Sequence, residues 1–521
     1  MRAIDHFDRG HDLDPERRAI VDIDRGIELS FAEVRRLTFR IAAAMQRQGF
    51  KAQDVAALYG PNDGTLLVSL LAFWRANGRW VPVNARNAIE ANAAFLDYVR
   101  CQWMFYHSSV SGSVAALRER CPTLREFVCV DRACNGDPSL EQFIAGVSES
   151  DFAEPAIDPF GNLFDFVGIM PTGGTTGPSK GTCVTNLGWS TMIETAAAEL
   201  DRRTDDPIAL VTAPLTHAAG VLAATMFNFG ATQVILPGFE PDRVLQAIGD
   251  YRISHLYLPP TAMYQCLAHP DAGRFDYSSL RIFVLAGSVC SPEKLRQAVD
   301  MFGPVMCQSY GQTECPLIIT WFPPEEVARF AREAPARLAS CGRPSRTVRV
   351  ALLDDDGRPV GPGESGEICT RSAMVSHSYF ERPEETAEIR RHGWHHTGDI
   401  GRFDEQGYLY IVDRKKDMIV TGGFNVFTAE VEAALTAHPE VADAAVFGIP
   451  HDKWGEQVHA VVVAPGLTAE ALIAHAKGLL GSVKAPKSVD FADAIPRTPN
   501  GKHDKKAMRQ AYWGRAERMV N

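Results

Sequence analysis

The stretch Pro171-Thr172-Gly173-Gly174-Thr175-Thr176-Gly177-Pro178-Ser179-Lys180-Gly181 contains four glycines, three threonines and one lysine. The apolar run from Phe164 to Met170 precedes it and predicts a β-strand. A glycine-rich loop after a strand can bring backbone N–H groups close to phosphate oxygens, and threonine hydroxyls and a lysine add donors and positive charge. The stretch therefore predicts a nucleoside triphosphate site. A flexible surface loop is the alternative, because Gly, Ser, Thr and Pro are also common in linkers.

This loop differs from the P-loop of many nucleotide-binding proteins. The P-loop requires glycine directly before its lysine and serine or threonine directly after it. Here Ser179 precedes Lys180 and Gly181 follows it. P-loop chemistry is therefore not indicated, and the other segments of the chain must decide between a phosphate site and a linker.

The composition is that of a globular protein with more than one domain. The chain has 521 residues, of which 45% are hydrophobic and 22% are charged, and this length exceeds what one core usually supports. The eleven cysteines are scattered without a Cys-x-x-Cys pair, which predicts a reducing cytoplasm rather than zinc sites or disulfides. The net charge of -11 argues against a nucleic-acid partner. No apolar run predicts a membrane span or a signal peptide.

Strand-like and helix-like segments alternate between residues 160 and 320. Buried strands are predicted at 233–237, 255–258 and 281–286, in addition to one at 55–59. Ser291-Pro292-Glu293 predicts a helix start, with an N-cap serine followed by proline. This alternation predicts a largely parallel α/β sheet.

The pattern changes at Val348, after which short strands and tight turns predict a smaller β subdomain. The charged stretch Asp413-Arg414-Lys415-Lys416-Asp417 then precedes a compact α+β segment with a helix from about 428 to 437. We place the domain boundary at this stretch, which gives one domain of residues 1–413 and one of residues 414–521. An ordinary solvated turn is the alternative interpretation of the charged stretch.

Five further segments carry candidate functional residues. In Gln308-Ser309-Tyr310-Gly311-Gln312-Thr313-Glu314, the tyrosine can stack on a purine and the glutamate can hold Mg²⁺, although a surface glutamate on a turn is the alternative. In Gly393-Trp394-His395-His396-Thr397-Gly398-Asp399, the aspartate can accept ribose hydroxyl protons, and an Asx-type turn is the alternative. The other three segments, each weak alone, are 214–220, 413–425 and 496–502.

In this order the segments resemble the adenylate-forming superfamily, which includes acyl-CoA synthetases, peptide-synthetase adenylation domains and luciferases. The resemblance runs from Leu29 to Lys502. It implies an α/β fold with a large N-terminal domain of mostly parallel α/β subdomains plus a small β subdomain, and a small mobile α+β C-terminal domain. It also implies that a carboxylate attacks the α-phosphate of ATP, and that a thiol, usually coenzyme A, then displaces AMP from the acyl-AMP.

The resemblance implies roles for the matching residues. Lys502 is the catalytic lysine of the C-terminal domain, Glu314 binds Mg²⁺, and Lys416 lies at the hinge. Asp399 and Arg414 hold the ribose. The residues implied to cradle the phosphates are Thr172, Gly173, Gly174, Thr175, Thr176, Gly177 and Lys180, of which Thr176 is also assigned to the catalytic set. The remaining residues implied to bind ATP or coenzyme A are Gly287, Ser288, Val289, Gln308, Ser309, Tyr310, Gly311, Thr313, Ile411, Gly422, Gly423 and Phe424.

The chain departs from the family pattern in three places, one of which is Pro178-Ser179, where the usual order is any residue followed by proline. Gly173 stands where a serine is usual, so one hydroxyl donor is lost from the loop. Ser378-Tyr379 stands where glycine-tyrosine is usual.

The expected substrate is a medium-chain, aromatic or alicyclic carboxylic acid. His217, assigned to the catalytic set and the acyl pocket, resembles the position that closes that pocket in relatives; a core histidine is the alternative. Gly311 stands where acetate-specific relatives have a tryptophan, so we expect it to leave volume for a larger acid. The segment 214–220 has no acidic residue to pair with a substrate ammonium, which disfavours an amino acid.

The expected activity is that of an ATP-dependent acyl-CoA ligase, an acid–thiol ligase that uses ATP, Mg²⁺ and coenzyme A. A homodimer is compatible with such a chain. An acyl-AMP ligase that loads a carrier protein shares the first half-reaction and is the alternative. An inactive binding scaffold is opposed by the intact Glu314, Asp399, Arg414 and Lys502.

Overall fold

The computed structural model describes residues 1–172, 179–200, 204–361, 363–498 and 503–513. These residues form two compact units. The first unit takes in the described residues of Met1–Thr172, Pro178–Val350 and Thr370–His395, and the second takes in those of Ala351–Cys369 and His396–Asn521. The predicted boundary between residues 413 and 414 stays a prediction.

The strands are defined in chain order. They are β1 (Arg18–Asp22), β2 (Ile27–Ser30), β3 (Val55–Tyr59), β4 (Arg79–Val83), β5 (Trp103–Tyr106), β6 (Glu126–Cys129), β7 (Phe166–Pro171), β8 (Gly181–Thr185), β9 (Ile208–Val211), β10 (Thr232–Ile235), β11 (His255–Leu258), β12 (Ile282–Leu285), β13 (Met306–Gln312), β14 (Cys315–Phe322), β15 (Arg343–Pro344), β16 (Arg349–Leu353), β17 (Ser365–Arg371), β18 (Ser378–Tyr379), β19 (His395–Phe403), β20 (Leu409–Arg414), β21 (Ile419–Thr421), β22 (Phe424–Val426), β23 (Asp443–His451), β24 (Gly455–Val463) and β25 (Ser488–Phe491).

The α-helices are also numbered in chain order. They are α1 (Ala3–Leu13), α2 (Phe31–Arg47), α3 (Gly64–Arg75), α4 (Ile89–Tyr98), α5 (Ser111–Arg120), α6 (Leu140–Phe143), α7 (Asn186–Glu199), α8 (Ala218–Phe227), α9 (Pro241–Asp250), α10 (Pro260–Leu267), α11 (Pro292–Phe302), α12 (Pro324–Glu333), α13 (Pro383–Glu388), α14 (Thr428–Thr436), α15 (Ala469–Lys484) and α16 (Lys505–Trp513). Short 3₁₀ helices lie at Ser108–Val110, Glu149–Asp151, Ala272–Arg274, Pro335–Ala339 and Arg391–Gly393.

Two large sheets form the first unit. The seven-stranded sheet has the order β18-β8-β7-β4-β3-β5-β6, and its strands from β7 to β6 run parallel. The nine-stranded sheet has the order β15-β14-β13-β12-β11-β9-β10-β1-β2, with parallel strands from β13 to β1. Antiparallel strands lie only at the margins of these two sheets, at β8, β18, β2, β14 and β15. The predicted α/β class is confirmed.

Local sequence signals explain where several helices begin. Ser291 accepts the backbone N–H of Lys294 and precedes a proline, so α11 starts as predicted. Ser30 and Glu33 form a reciprocal capping box at the start of α2. Asp63 accepts two backbone N–H groups at the start of α3. These caps satisfy donors that a helix cannot satisfy internally.

The core of the first unit is formed by β-branched, leucine, aromatic and cysteine side chains that cover both faces of the parallel strands. Nine of the eleven cysteines are buried, and all eleven are free thiols. Burial raises the pKa of the Cys266 thiol to about 12, so this cysteine behaves as a small core residue. Most of the cysteines are therefore packing residues of the core.

The second unit contains two smaller sheets. One has the order β16-β17-β19-β20, and the other has the order β22-β21-β24-β23 with β25 paired to β24. The long hairpin of β23 and β24 packs against α14 and α15 around buried Val446, Val458, Leu435 and Leu472. This is the α+β segment expected from the sequence.

In the part of the chain that the structure describes, no helix is both long enough and apolar enough to cross a membrane.

Candidate active site

Three predicted site residues of the first unit lie at or after the carboxyl ends of parallel strands in the nine-stranded sheet. His217 lies after β9, Gly287 lies just after β12, and Tyr310 lies near the end of β13. The chain turns to opposite sides of β9 to form β10 and β11, so the strand order reverses there. Ligands of open α/β sheets bind outside the carboxyl ends of the strands at such a reversal. The topology therefore brings these residues to the edge where a ligand is expected.

The turn after β12 is open to solvent. Gly287, Ser288 and Val289 are all exposed, and the apolar side chain of Val289 is 63% exposed. Gly287 has a φ of 90°, a conformation that residues with a Cβ rarely adopt. An added Cβ would lie 3.6 Å from the hydroxyl of Tyr257, which is in ordinary contact range. An exposed apolar turn of this kind suits the predicted contact with the flat face of an adenine.

Two of the predicted binding residues hold the β13–β14 hairpin in place through side-chain hydrogen bonds. The Gln308 side-chain amide donates to the carbonyl oxygens of Leu338 and Ser340, at 3.2 and 3.1 Å. The Ser309 hydroxyl donates to the carbonyl of Leu317. Both side chains thus hold the backbone around Tyr310, whose own side chain is 8% exposed.

The expectation that Gly311 leaves open volume for a larger acid is wrong. The pairing of β13 with β14 is irregular between Tyr310 and Gln312, and the extra residues of β14 bulge over this point. Leu317 in the bulge has a φ of 64°. A Cβ on Gly311 would lie only 2.7 Å from the Leu317 nitrogen and 2.8 Å from its carbonyl carbon. The space beside Gly311 is therefore filled by backbone.

Glu314, predicted to bind Mg²⁺, is held by the edge strand of the other sheet. The Tyr379 hydroxyl donates to its Oε1 at 2.7 Å, and the Ser376 N–H donates to its carbonyl at 2.7 Å. Lys180, predicted to bind phosphate, places its Nζ 4.9 Å from the centre of the Tyr379 ring. One tyrosine therefore contacts both the predicted metal ligand and the predicted phosphate-binding lysine.

Glu314 could bind Mg²⁺ only together with the phosphates of a bound substrate. Among the described residues, no group of three or more His, Cys, Asp or Glu side chains is arranged to hold a metal ion. Mg²⁺ is usually bound by one or two carboxylates together with substrate phosphates and water. A single half-buried carboxylate matches that pattern and would not form a metal site of its own.

The ends of the glycine-rich loop are joined to each other. Thr172 N–H donates to the Lys180 carbonyl at 2.9 Å, and Lys180 N–H donates back to the Thr172 hydroxyl at 3.1 Å. The Ser179 hydroxyl donates to the Thr172 carbonyl at 2.8 Å. The predicted cradle residues between these ends lie outside the described residues; they are Gly173, Gly174, Thr175, Thr176 and Gly177.

His217 is exposed, which excludes the alternative of a core histidine. It occupies the N-cap position of α8, and its Nδ1 lies 2.9 Å from the Thr216 hydroxyl. The surrounding protein desolvates the ring and lowers its pKa, and the positive charge of Arg86 acts in the same direction.

A cavity of about 280 Å³ lies beside the His217 segment. Its wall is mainly apolar and includes Leu66, Trp80 and Leu215, while Arg86 and Thr216 contribute polar groups. A mostly apolar wall with a few polar groups is typical of small-molecule sites, and the volume is near the lower limit for them. The cavity can therefore take part of an organic ligand.

In the second unit, Asp399 and Arg414 face each other. They are directly paired residues on the antiparallel strands β19 and β20, and Arg414 Nε lies 3.4 Å from Asp399 Oδ1. The Asp399 carboxylate is mostly buried, whereas the Arg414 side chain is 43% exposed. This pair places an acceptor and a donor side by side, as binding of a ribose diol requires.

The other predicted residues of the second unit are distributed along the following segment. Ile411 is half-buried on β20, and burial lowers the pKa of Lys416. Gly422 and Gly423 have φ values of 56° and 84°, which form the tight turn between β21 and β22. Phe424 is 59% exposed. Lys502 lies outside the described residues.

Two family models match the chain. The model described as AMP-binding enzyme matches residues 7–380, and the model described as AMP-binding enzyme C-terminal domain matches residues 430–502. The chain belongs to the AMP-binding enzyme family. The predicted adenylate-forming superfamily is confirmed.

Three similar proteins illustrate the relationship of this AMP-binding enzyme to known ones. The medium/long-chain-fatty-acid–CoA ligase FadD8 of Mycobacterium tuberculosis is 42% identical over 68% of this chain and 62% of its own length. A feruloyl-CoA synthase of Amycolatopsis is 34% identical over 94% of each chain. The structure of the amide bond synthetase McbA from Marinactinospora thermotolerans has a TM-score of 0.86 and 30% identity, covering 98% of this chain and 100% of that one. The predicted enzyme class, an AMP-forming acid–thiol ligase, is confirmed.

Sequence reasoning missed two residues of this AMP-binding enzyme. Tyr379 appears in the sequence only as part of an unusual dipeptide, and its contact partner Glu314 lies in a turn far away in sequence. Glu367, on β17, was not singled out, although its carboxylate contacts the segments that carry Asp399 and Arg414. The only local signal for Glu367 is an acidic residue within an apolar strand, since buried carboxylates require partners.

Proposed function

We propose that this protein is an ATP-dependent acyl-CoA ligase that activates a medium-chain, aromatic or alicyclic carboxylic acid. The observation that carries the proposal is the contact of Tyr379 with both Glu314 and Lys180. A carboxylate suited to Mg²⁺ and a lysine suited to phosphate then act on the same triphosphate. The membership in the AMP-binding family and the relatives named as CoA ligases support this assignment.

The proposed first step forms an acyl-AMP. A carboxylate oxygen of the acid attacks the α-phosphorus of ATP, and the bond from this phosphorus to the bridging oxygen of the β-phosphate breaks. Lys180 and the loop would bind the departing pyrophosphate, and Lys502 would neutralise the charge that develops at the α-phosphate. Bound Mg²⁺ would neutralise phosphate charge, with Glu314 as its protein ligand. Catalysis of this kind rests on positioning and electrostatics.

The proposed second step transfers the acyl group to coenzyme A. The thiol sulfur attacks the acyl-AMP carbonyl carbon and loses its proton, and AMP leaves with the electrons of the broken C–O bond. His217 directly follows Thr216, which lines the cavity, and would itself line the acyl pocket. The exposed turn of Gly422 and Gly423 would contact the pantetheine after residues 414–521 rotate about Lys416.

The experiment with the broadest outcome is a pyrophosphate-release screen over fatty, aryl and alicyclic acids. We expect release with at least one class, followed by thioester formation when free coenzyme A is added. An acyl-AMP ligase that loads a carrier protein would release pyrophosphate yet form no thioester with free coenzyme A. Absence of pyrophosphate release with all three classes of acid would contradict the proposal.

The variant Lys502→Ala tests the assigned lysine. We expect adenylation to fall about 100- to 1,000-fold, because a preorganised positive charge is removed from the transition state. Lys506→Ala is the matched control, since it removes an exposed lysine four residues away. Unchanged pyrophosphate release by Lys502→Ala would refute the role, and similar thermal unfolding of the two variants would show that the fold is intact.

A further inference from the structure

Glu367 is a buried carboxylate with three partners. It is 4% exposed, on β17. Its Oε2 accepts a hydrogen bond from the Lys415 ammonium at 3.0 Å and also lies 3.0 Å from His396 Nδ1. Its Oε1 accepts the backbone N–H of Gly398 at 3.1 Å. Both carboxylate oxygens are therefore engaged within one unit of the protein.

Two of these partners are sequence neighbours of the predicted ribose-binding pair. Gly398 directly precedes Asp399, and Lys415 directly follows Arg414. The Lys415 N–H also donates to the Gly398 carbonyl at 2.8 Å. Glu367 therefore ties together the two backbone segments from which Asp399 and Arg414 project.

The negative charge of Glu367 is stabilised by its neighbours. Burial acts to raise its pKa, but the hydrogen bonds from His396 and Lys415 outweigh burial and hold the pKa below the ordinary value. Lys415 has one further acidic partner, Asp355, whose side chain is 89% exposed. An exposed ion pair contributes little, so Glu367 is the partner that fixes the Lys415 side chain.

We propose that Glu367 is a positioning residue for nucleotide binding, which sets the spacing and orientation of Asp399 and Arg414 towards the ribose hydroxyls of ATP. The inference rests on the proposed function in taking ATP as the ligand, and on the predicted role of Asp399 and Arg414 at its ribose. Glu367 does not contact the nucleotide; it acts through Gly398 and Lys415. Replacing it should therefore weaken recognition of the ribose specifically, and leave recognition of the triphosphate in place.

The test is direct binding of ATP, 2′-deoxy-ATP and 3′-deoxy-ATP, measured by calorimetry without any acid substrate. We expect the wild-type protein to prefer ATP over at least one deoxy analogue by about tenfold, the effect of one hydrogen bond to a charged group. Glu367→Gln keeps the side-chain shape and should lose most of this preference, with Kd for ATP raised about tenfold. Asp355→Asn is the matched control and should keep the wild-type preference.

Two further variants separate positioning from loss of fold. Lys415→Gln removes a partly exposed partner of Glu367, so it should lower the preference by a smaller factor, about threefold, even if Glu367→Gln does not fold. In the double variant Glu367→Gln with Asp399→Asn, ribose preference should equal that of Asp399→Asn alone, because both changes remove the same contact. The inference would be overturned if folded Glu367→Gln kept the wild-type preference for ATP over the deoxy analogues. If only Lys415→Gln folds, the same result in that variant would overturn it.

Failure of the pyrophosphate screen would instead count against the proposed ligase activity, since nucleotide binding is measured independently.

Discussion

The predicted nucleotide-binding residues of the two units are held in place by different kinds of interaction. In the first unit, the β13–β14 hairpin is positioned by backbone contact, with Gly311 against Leu317 and neutral hydrogen bonds from Gln308 and Ser309. In the second unit, Asp399 and Arg414 depend on a buried charge cluster centred on Glu367. The first region is therefore sensitive to side-chain volume, and the second is sensitive to charge and pH.

The largest effect on stability is expected from Glu367→Gln. Removing the charged carboxylate of a buried ion pair leaves Lys415 with the exposed Asp355 as its remaining acidic partner, so the free energy of unfolding should fall by about 3 kcal/mol at pH 7. Because the folded protein holds the pKa of Glu367 below 4.5, its stabilising contribution is complete above pH 4.5 and is lost as the pH falls through the lower folded value.

Denaturant unfolding of the wild type and Glu367→Gln between pH 7 and pH 4 measures this difference. The gap in unfolding free energy should stay constant down to about pH 5 and then begin to narrow. A gap that widens on acidification would mean that the glutamate is not the charged member of the cluster.

An intermediate effect is expected from Gly311→Ala. The new Cβ would lie 2.7 Å from the Leu317 nitrogen, so the hairpin must move and the free energy of unfolding should fall by about 1–3 kcal/mol. Pyrophosphate release should fall for every acid without a change in the order of preference. Gly112→Ala, in α5, is the control, because a Cβ there meets nothing within 4 Å.

A different result for Gly311→Ala would support the expectation from the sequence that Gly311 leaves volume for a larger acid. If the variant unfolded like the wild type and lost activity only with the larger acids, Gly311 would be a pocket-volume residue.

The smallest effect is expected from Tyr379→Phe, which removes the hydroxyl at Glu314 and keeps the ring beside Lys180. One hydrogen bond to a carboxylate is worth about 1.5–3 kcal/mol when fully formed, but water can replace it at a half-buried site. We therefore expect the Mg²⁺ concentration for half-maximal pyrophosphate release to rise by about threefold.

Tyr277→Phe serves as the control for that measurement. It also removes a hydroxyl bonded to a protein carbonyl, that of Ala272, in a segment with no predicted site residue. Equal Mg²⁺ dependence in the two variants would show that the contact of Tyr379 with Glu314 does not influence the metal.

Much of the fold could be predicted because its signals are local. The strands at 55–59 and 255–258 have the predicted bounds, and α11 begins at the predicted Ser291 cap. Apolar runs flanked by turn residues and a capping serine are readable within about ten residues. Predicted strand ends elsewhere differ by one or two residues, as at β10, where pairing with neighbouring strands sets the boundary.

The sequence was enough to predict which residues belong to the candidate site, but it was not enough to predict how they contact each other. Asp399 and Arg414 were assigned as a pair through the family resemblance, and the β19–β20 register places them opposite each other. The bulge that brings Leu317 onto Gly311 depends on how two strands are paired, which no local pattern encodes. Glu367 is 29 residues from His396 and 48 from Lys415, so its role emerges only when three strands are assembled.

Two hydrogen bonds between Thr172 and Lys180 close the glycine-rich loop at its base, which should allow the loop sequence to be replaced. Because the two ends are already joined and β7 and β8 are paired up to them, we expect these strands to tolerate substitutions between the two ends. Doubling the length of a flexible loop costs only about 0.6 kcal/mol in closure entropy. Loop sequences from other family members, including one with serine in place of Gly173, can therefore be grafted here, so that phosphate binding can be varied while the scaffold is kept constant.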